Sequence, residues 1–175
     1  VLPAWDALTG FQAALAVLAA ERHRRLTGEG QLVTVALADV GLAVSGHLGL
    51  LAEASLVEEP RGRFGNDLFG TYAKDFPTKD GRRVIVLALT ARQWGSLTTA
   101  TGLSEQFAEL EKAHGYDFRE EGDRWRARKR ISALLAPWFA ERTLAQVRKD
   151  LDAGGVLWGP YQSFKQLLAE DPRAT

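Results

Sequence analysis

The chain has 175 residues, enough for one good core or for two small lobes sharing a linker. Hydrophobic residues make up 46% and charged residues 25%, which excludes a disordered segment or a bundle of membrane spans and reads as an ordinary soluble globular protein. Lys plus Arg equals Asp plus Glu at 22 each, so no excess charge points to nucleic acid or an anionic membrane as partner.

There is no cysteine, so disulfides, thiolate metal sites and a cysteine nucleophile are excluded together, and a reducing, cytoplasmic setting is expected. A chain that begins with Val1 and holds no methionine reads as a processed chain or a piece of something longer. No signal peptide is visible. The apolar run from 11 to 20 gives way at once to Glu21-Arg22-His23-Arg24-Arg25, too short and too polar for a membrane span.

From 5 to 26, Leu8, Phe11, Leu15 and Leu18 recur at three- and four-residue steps with alanines between them, which predicts a helix packed closely against neighbours. Its basic last turn suits the negative end of the helix dipole, and Gly28 in "TGEGQ" suits the position just past the end. "QLVTVAL" alternates as a short strand, and "ADVGLAVSGHLGLLAEA" reads as a second helix, rich in Gly and Ala. "VEEPRGRFGNDLFG", 57 to 70, has no period and is a long loop; loops of that length in compact domains are often functional. A lobe boundary is expected there, near Pro60. "TYAKDF" and "RRVIVLAL" then flank Asp80-Gly81, a hairpin signal.

The remainder reads as helical. "ARQWGSLTTATG" closes at Gly102, and "LSEQFAELEKAHG" is capped by Ser104 and ended by Gly115. "DRWRARKRISALLAPWFAE" carries a buried stripe of Ile131, Leu134, Leu135, Trp138 and Phe139. "TLAQVRKDLDAGG" starts on Thr143 and stops at its two glycines, and "VLWGP" and "SFKQLLAED" finish the chain.

Most chemical candidates have a plainer reading. The basic run "RWRARKR" is offset by "REEGD" upstream, with Glu120–Arg124 and Asp123–Arg126 at helical pair spacing, and reads as a solvated face. His23, His47 and His114 have no second ligand at metal spacing, so no metal site is expected. Trp94, Trp125, Trp138 and Trp158 fall at core positions and read as packing. "RFGNDLFG" lacks the Gly-x-Gly-x-x-Gly pattern of a dinucleotide loop. Asp6 has two readings that can coexist. It can cap a helix or favour its dipole, or it can be an ionised carboxylate, with Gly10 permitting close approach, that attacks an activated acyl group.

"PAWDALTGFQAALAVLAAERHRRLTGEGQLVTVALADV" resembles the catalytic segment of the family III CoA-transferases: an aspartate, a Thr-Gly pair, an Ala-rich helix, an Arg-rich end and "TGxGQ" before a strand. "YAKDFPTKDGRRVIVLALTARQW" and "GVLWGPYQSFKQLLAEDPR" strengthen the resemblance. Their wording is closest to members that move CoA between the two carboxyls of one mesaconate molecule. Family members are longer, so the likeness covers this whole sequence but only the central part of a family protein.

The resemblance implies a mixed α/β fold. Residues 1–59 would be helices of a Rossmann-like large domain with Asp6 as catalytic nucleophile. Residues 60–175 would be a loop and a small α+β domain with a short antiparallel sheet. It implies an interlocked homodimer, a CoA thioester as substrate, no bound cofactor or metal, and no nucleic-acid or membrane partner. It also implies that most CoA contacts lie outside the piece, which on its own would then be inactive.

The loop lies where the family has a glycine-rich segment covering the active site. Here it keeps only Gly62, Gly65 and Gly70 among bulkier residues. Arg61, Arg63, Gly65, Asn66 and Gly70 are the substrate-binding or lid candidates, with the arginines suited to a spare carboxylate or, equally, to solvent. Rival readings are an intermolecular CoA-transferase using the same Asp6, an acyl-CoA racemase in which the aspartate shuttles an α-proton with a histidine, and a non-catalytic assembly module.

Overall fold

A computed structural model of the chain describes residues 3–174. It divides into two compact units, Val1–Gly62 and Arg63–Thr175.

The first unit is helical. α1 (Ala4–Thr27) ends in Gly28 at φ 77°, whose N–H donates to the Arg24 carbonyl at 2.8 Å. A left-handed glycine ends the helix because it alone turns there without a Cβ clash. The expected strand "QLVTVAL" does not form. Residues 29–36 run without a ladder partner among the described residues, and Leu37 already opens the next helix. Alternation marks what a strand would bury, but a strand also needs a neighbour to pair with.

The second expected helix is two, α2 (Leu37–His47) and α3 (Leu50–Leu56), broken at Gly49, whose φ of 77° cannot continue a right-handed helix. The two are bent by 66°, and no single helix among the described residues is long and apolar enough to cross a membrane. α1 lies against α2, with the Trp5 ring 3.9 Å from where a Cβ on Gly41 would sit. The close packing expected of α1 is not found within the chain. None of the three helices has a buried residue, and Phe11 is 74% exposed. Periodicity shows which face wants cover, not what covers it.

The second unit holds the core. β1 (Tyr72–Pro77), β2 (Arg83–Ala88) and β3 (Leu157–Tyr161) form an antiparallel sheet in the order β1-β2-β3, with Tyr72 opposite Ala88 and Val86 opposite Trp158. β2 alternates as a strand with one covered face should, burying Val84, Val86 and Ala88. The mixed α/β class and the short antiparallel sheet expected from the sequence are thus present.

Among the described residues this unit has the α-helices α4 (Ala91–Thr101), α5 (Ser104–His114), α6 (Glu121–Ala140), α7 (Leu144–Ala153) and α8 (Phe164–Glu170), of which α4, α6 and α7 pack on the sheet. α6 crosses β1, where Phe139 stacks on Phe76 with centroids 4.6 Å apart. Its stripe is as expected, with Ile131, Leu135, Trp138 and Phe139 buried and Leu134 half-buried against the core. Trp94, Phe107 and Phe118 fill the other end edge to face. Gly115 ends α5 as expected, but Ser104 does not cap it. Leu103 takes that place and carries no side-chain cap, because the chain passes from Gly102 at the end of α4 straight into α5.

Two tertiary ties were invisible in the sequence. The hairpin turn reaches α7: the Asp80 carboxylate accepts from the Leu144 N–H at 3.1 Å, and Lys79 N–H donates to the Arg142 carbonyl. At the other end of that helix, α7 meets α4 so closely that a Cβ on Gly154 would lie 2.6 Å from the Ala100 Cβ.

The basic run on α6 is only in part the solvated face expected: Arg126, Lys129 and Arg130 are exposed, and Arg124 is the exception. Asp123 and Arg126 do pair, but Arg124 is fully buried. Its guanidinium donates to the carbonyls of Phe118 at 2.6 Å, Arg119 at 3.0 Å and Leu89 at 2.7 Å. Charge balance sees net charge only; it misses an arginine whose planar fork satisfies carbonyls at a chain crossing.

Candidate functional site

Asp6 stands in the first turn of α1, exposed. The position before the helix belongs to Pro3, which bonds through its backbone: its carbonyl accepts from Ala7 N–H at 3.2 Å. Asp6 therefore does not cap α1, and its carboxylate has no hydrogen bond or ion pair among the described residues. What remains of the plainer reading is the dipole: a negative charge in the first turn faces the helix's positive end. Around it, Thr9 returns its hydroxyl to the Trp5 carbonyl at 2.7 Å, and the space where a Gly10 Cβ would sit is open. The site is thus an accessible carboxylate, unpartnered among the described residues, on a helix beside a position bare of side chain.

The loop candidates divide. Arg61 forks onto Glu53 of α3, its Nε donating to Oε1 at 3.0 Å and Nη2 to Oε2. Arg63 is exposed and has no charged partner among the described residues. Gly65 and Gly70 take φ of 62° and 85°, left-handed turns that favour glycine. Asn66 bonds the Asp75 carboxyl on β1. A groove of about 380 Å³ in the first unit, lined among others by Gln12, Val35, Asp39, Val40 and His47, does not include Asp6.

Sequence reasoning missed the residues that seat this loop. Phe64 and Phe69 pack edge-on against Trp125 of α6 at 4.9 and 5.1 Å, and Arg128 lies 3.8 Å over the Trp125 ring. Asp67 pairs with Lys74 at 2.9 Å and Arg128 at 3.6 Å. The available signal was the Trp-x-x-Arg spacing within "RWRARKR", which puts both side chains on one helix face. Among the described residues no group of His, Asp and Glu is placed to hold a metal ion.

A helical unit with an exposed first-turn carboxylate is followed in the chain by a small unit on a three-stranded antiparallel sheet. The model of CoA-transferase family III matches residues 2–174, and the chain belongs to that family. Within it, the chain is 54% identical over 172 residues to the 2-methylfumaryl-CoA isomerase of Chloroflexus aurantiacus, covering 98% of this chain and 42% of that protein. It is 26% identical to the succinyl-CoA–D-citramalate CoA-transferase of the same organism, over 94% of this chain and 39% of the relative. The chain therefore spans about two fifths of the length of these curated relatives.

Solved structures share the fold. One form of the hypothetical protein Rv3272 of Mycobacterium tuberculosis aligns at TM-score 0.74 with 22% identity, over 99% of this chain and 42% of that one. A CAIB/BAIF family protein of Brucella suis aligns at TM-score 0.67 with 24% identity, over 95% and 42%.

Proposed function

We propose that this chain carries the catalytic aspartate of a CoA-transferase acting on a dicarboxylic acyl-CoA, with CoA moving between the two carboxyls of mesaconyl-CoA. The observation that carries the reading is Asp6: an exposed first-turn carboxylate with no partner among the described residues, in a chain 54% identical to a 2-methylfumaryl-CoA isomerase.

The protein's own nucleophile in this chemistry is that carboxylate. An Asp6 oxygen attacks the thioester carbonyl, the C–S bond breaks, and CoA leaves as thiolate, a fair leaving group because thiol pKa values are about 8.5. The thiolate attacks the aspartyl carbonyl of the resulting anhydride, leaving an aspartyl-CoA thioester and a free dicarboxylate. The second carboxylate attacks that thioester and expels the thiolate. The thiolate then closes on the substrate side of the new anhydride and regenerates Asp6. Every atom returns, so no cofactor is consumed. Intramolecular transfer requires the freed dicarboxylate to turn end for end before it escapes, which calls for a closed pocket.

The second reading, transfer between two different acids, is supported by the likeness to succinyl-CoA–D-citramalate CoA-transferase. The exposed apolar face of α1 supports the interlocked homodimer, with a second copy supplying cover. The absence of cysteine suits a cytoplasmic setting.

The test supplies mesaconyl-CoA and isotopically labelled free mesaconate to the full-length protein carrying this chain, with products resolved by mass spectrometry. CoA migration without label uptake is the expected result, and label in the thioester would establish the intermolecular reaction. Asp6→Asn keeps the shape and removes the nucleophile, so turnover should fall to the uncatalysed level. Unchanged turnover would return Asp6 to the role of a dipole residue.

A further inference from the structure

We infer that Trp125 and Arg128 of α6 form a fixed seat for the glycine segment, so that residues 64–69 belong to the rigid body of the second unit and do not swing as a lid.

Three kinds of contact converge on a few residues. The first is aromatic: Phe64 and Phe69 stack on each other at 5.7 Å, and both meet the Trp125 ring edge-on. The second is cationic. The Arg128 guanidinium lies over Trp125 at 3.8 Å and 5.5 Å from the Phe64 centroid, and it is oriented by its own hydrogen bond to the Trp125 carbonyl at 2.9 Å. The third is ionic: Asp67 sits between Lys74 of β1 and Arg128 of α6, its side chain only 18% exposed. Backbone bonds from Asp67 N–H to Phe64 O at 3.1 Å and from Leu68 N–H to Ala73 O at 3.4 Å close the segment on itself and on β1.

The glycines fit this seat. Gly65 and Gly70, at positive φ, reverse the chain just after Phe64 and just after Phe69, which brings the two rings together on Trp125. Their conformational freedom is spent on a turn rather than on a hinge. Upstream the contrast is plain: the backbone N–H groups of Glu58, Glu59 and Gly62 donate no hydrogen bond among the described residues.

The test is amide hydrogen exchange on the unaltered chain, followed by limited trypsin cleavage of variants. The Asp67 and Leu68 amides should exchange at least about tenfold more slowly than those of Glu58, Glu59 and Gly62. Equal rates would overturn the inference whatever the variants do. Trypsin cutting after Arg63 must draw the segment from 64 onward into its own cleft, so the seat should protect that bond. Trp125→Ala should speed this cut about tenfold, Trp125→Phe by less than about threefold, and Asp67→Asn by an intermediate factor, because each removes a different share of the local closing energy. Slow exchange at Ile131 and Leu135 in the same samples shows that the core is still folded. If every variant cuts at the parent rate with its core intact, the seat does not hold the segment. None of these readouts depends on which reaction the protein catalyses.

Discussion

The Asp75 carboxyl on β1 is only 5% exposed, and burial pushes its pKa up; hydrogen bonds from Arg83 across the hairpin and from Asn66 outweigh that and hold it below the ordinary carboxylate value. A carboxyl whose pKa falls on folding stabilises the fold above its unfolded value of about 3.9, and that contribution is lost as pH drops through the lower folded value. Denaturant unfolding between pH 7 and pH 2 should therefore show stability falling below about pH 4, with a shallower acid limb in Asp75→Asn. A limb of equal slope in both would remove Asp75 from the account. Buried Tyr72 behaves in the opposite sense: burial, only partly offset by its bond to Ser132, raises the pKa of its phenol.

At the level of elements, the hairpin turn doubles as a tie for α7. Asp80 accepts from Thr78 Oγ1 at 2.6 Å and from the Leu144 N–H, which holds its carboxyl below the usual value and fixes the start of α7 beside the capping box of Thr143 and Gln146. Asp80→Ala should lower stability by about 1 kcal/mol, as loss of a helix cap does, read as a lower denaturant midpoint with unchanged slope. A shift within error would mean that Thr143 alone suffices.

The sequence announced Asp80-Gly81 as a turn but said nothing of Leu144, because residues 64 positions apart leave no local signal. The same divide runs through the chain. Helix starts and stops governed by neighbours in sequence, such as Thr143 and Gly28, were legible, and so was the β1–β2 hairpin. Features set by distant partners were not: the unpaired stretch at 29–36, Arg124 buried at a crossing of carbonyls, and Trp125 under the glycine segment. Of the candidate site, Asp6 was legible through its setting at a helix start. The contacts of Asn66 with Asp75 and of Arg61 with Glu53 depend on the fold and could not be read in advance.

For the molecule as a whole, the two units differ in kind. The second has a packed interior, whereas the first presents Phe11, Leu15 and Leu18 at 60–74% exposure. Contiguous apolar surface of that sort marks an interaction face. In sedimentation velocity at micromolar concentration, the chain should run as more than one copy, with the apolar dye ANS bound where that face stays open. A strictly monomeric particle that binds no dye would count against the interlocked dimer. The tight meeting of α4 and α7 sets a different constraint on the molecule. Since a single added methyl at 154 would collide with Ala100, the residue tolerated at either position depends on the other. Chimeras of this unit that inherit α4 from one parent and α7 from another would fail at that point even when each segment is sound, and a second change, Ala100→Gly, would rescue Gly154→Ala.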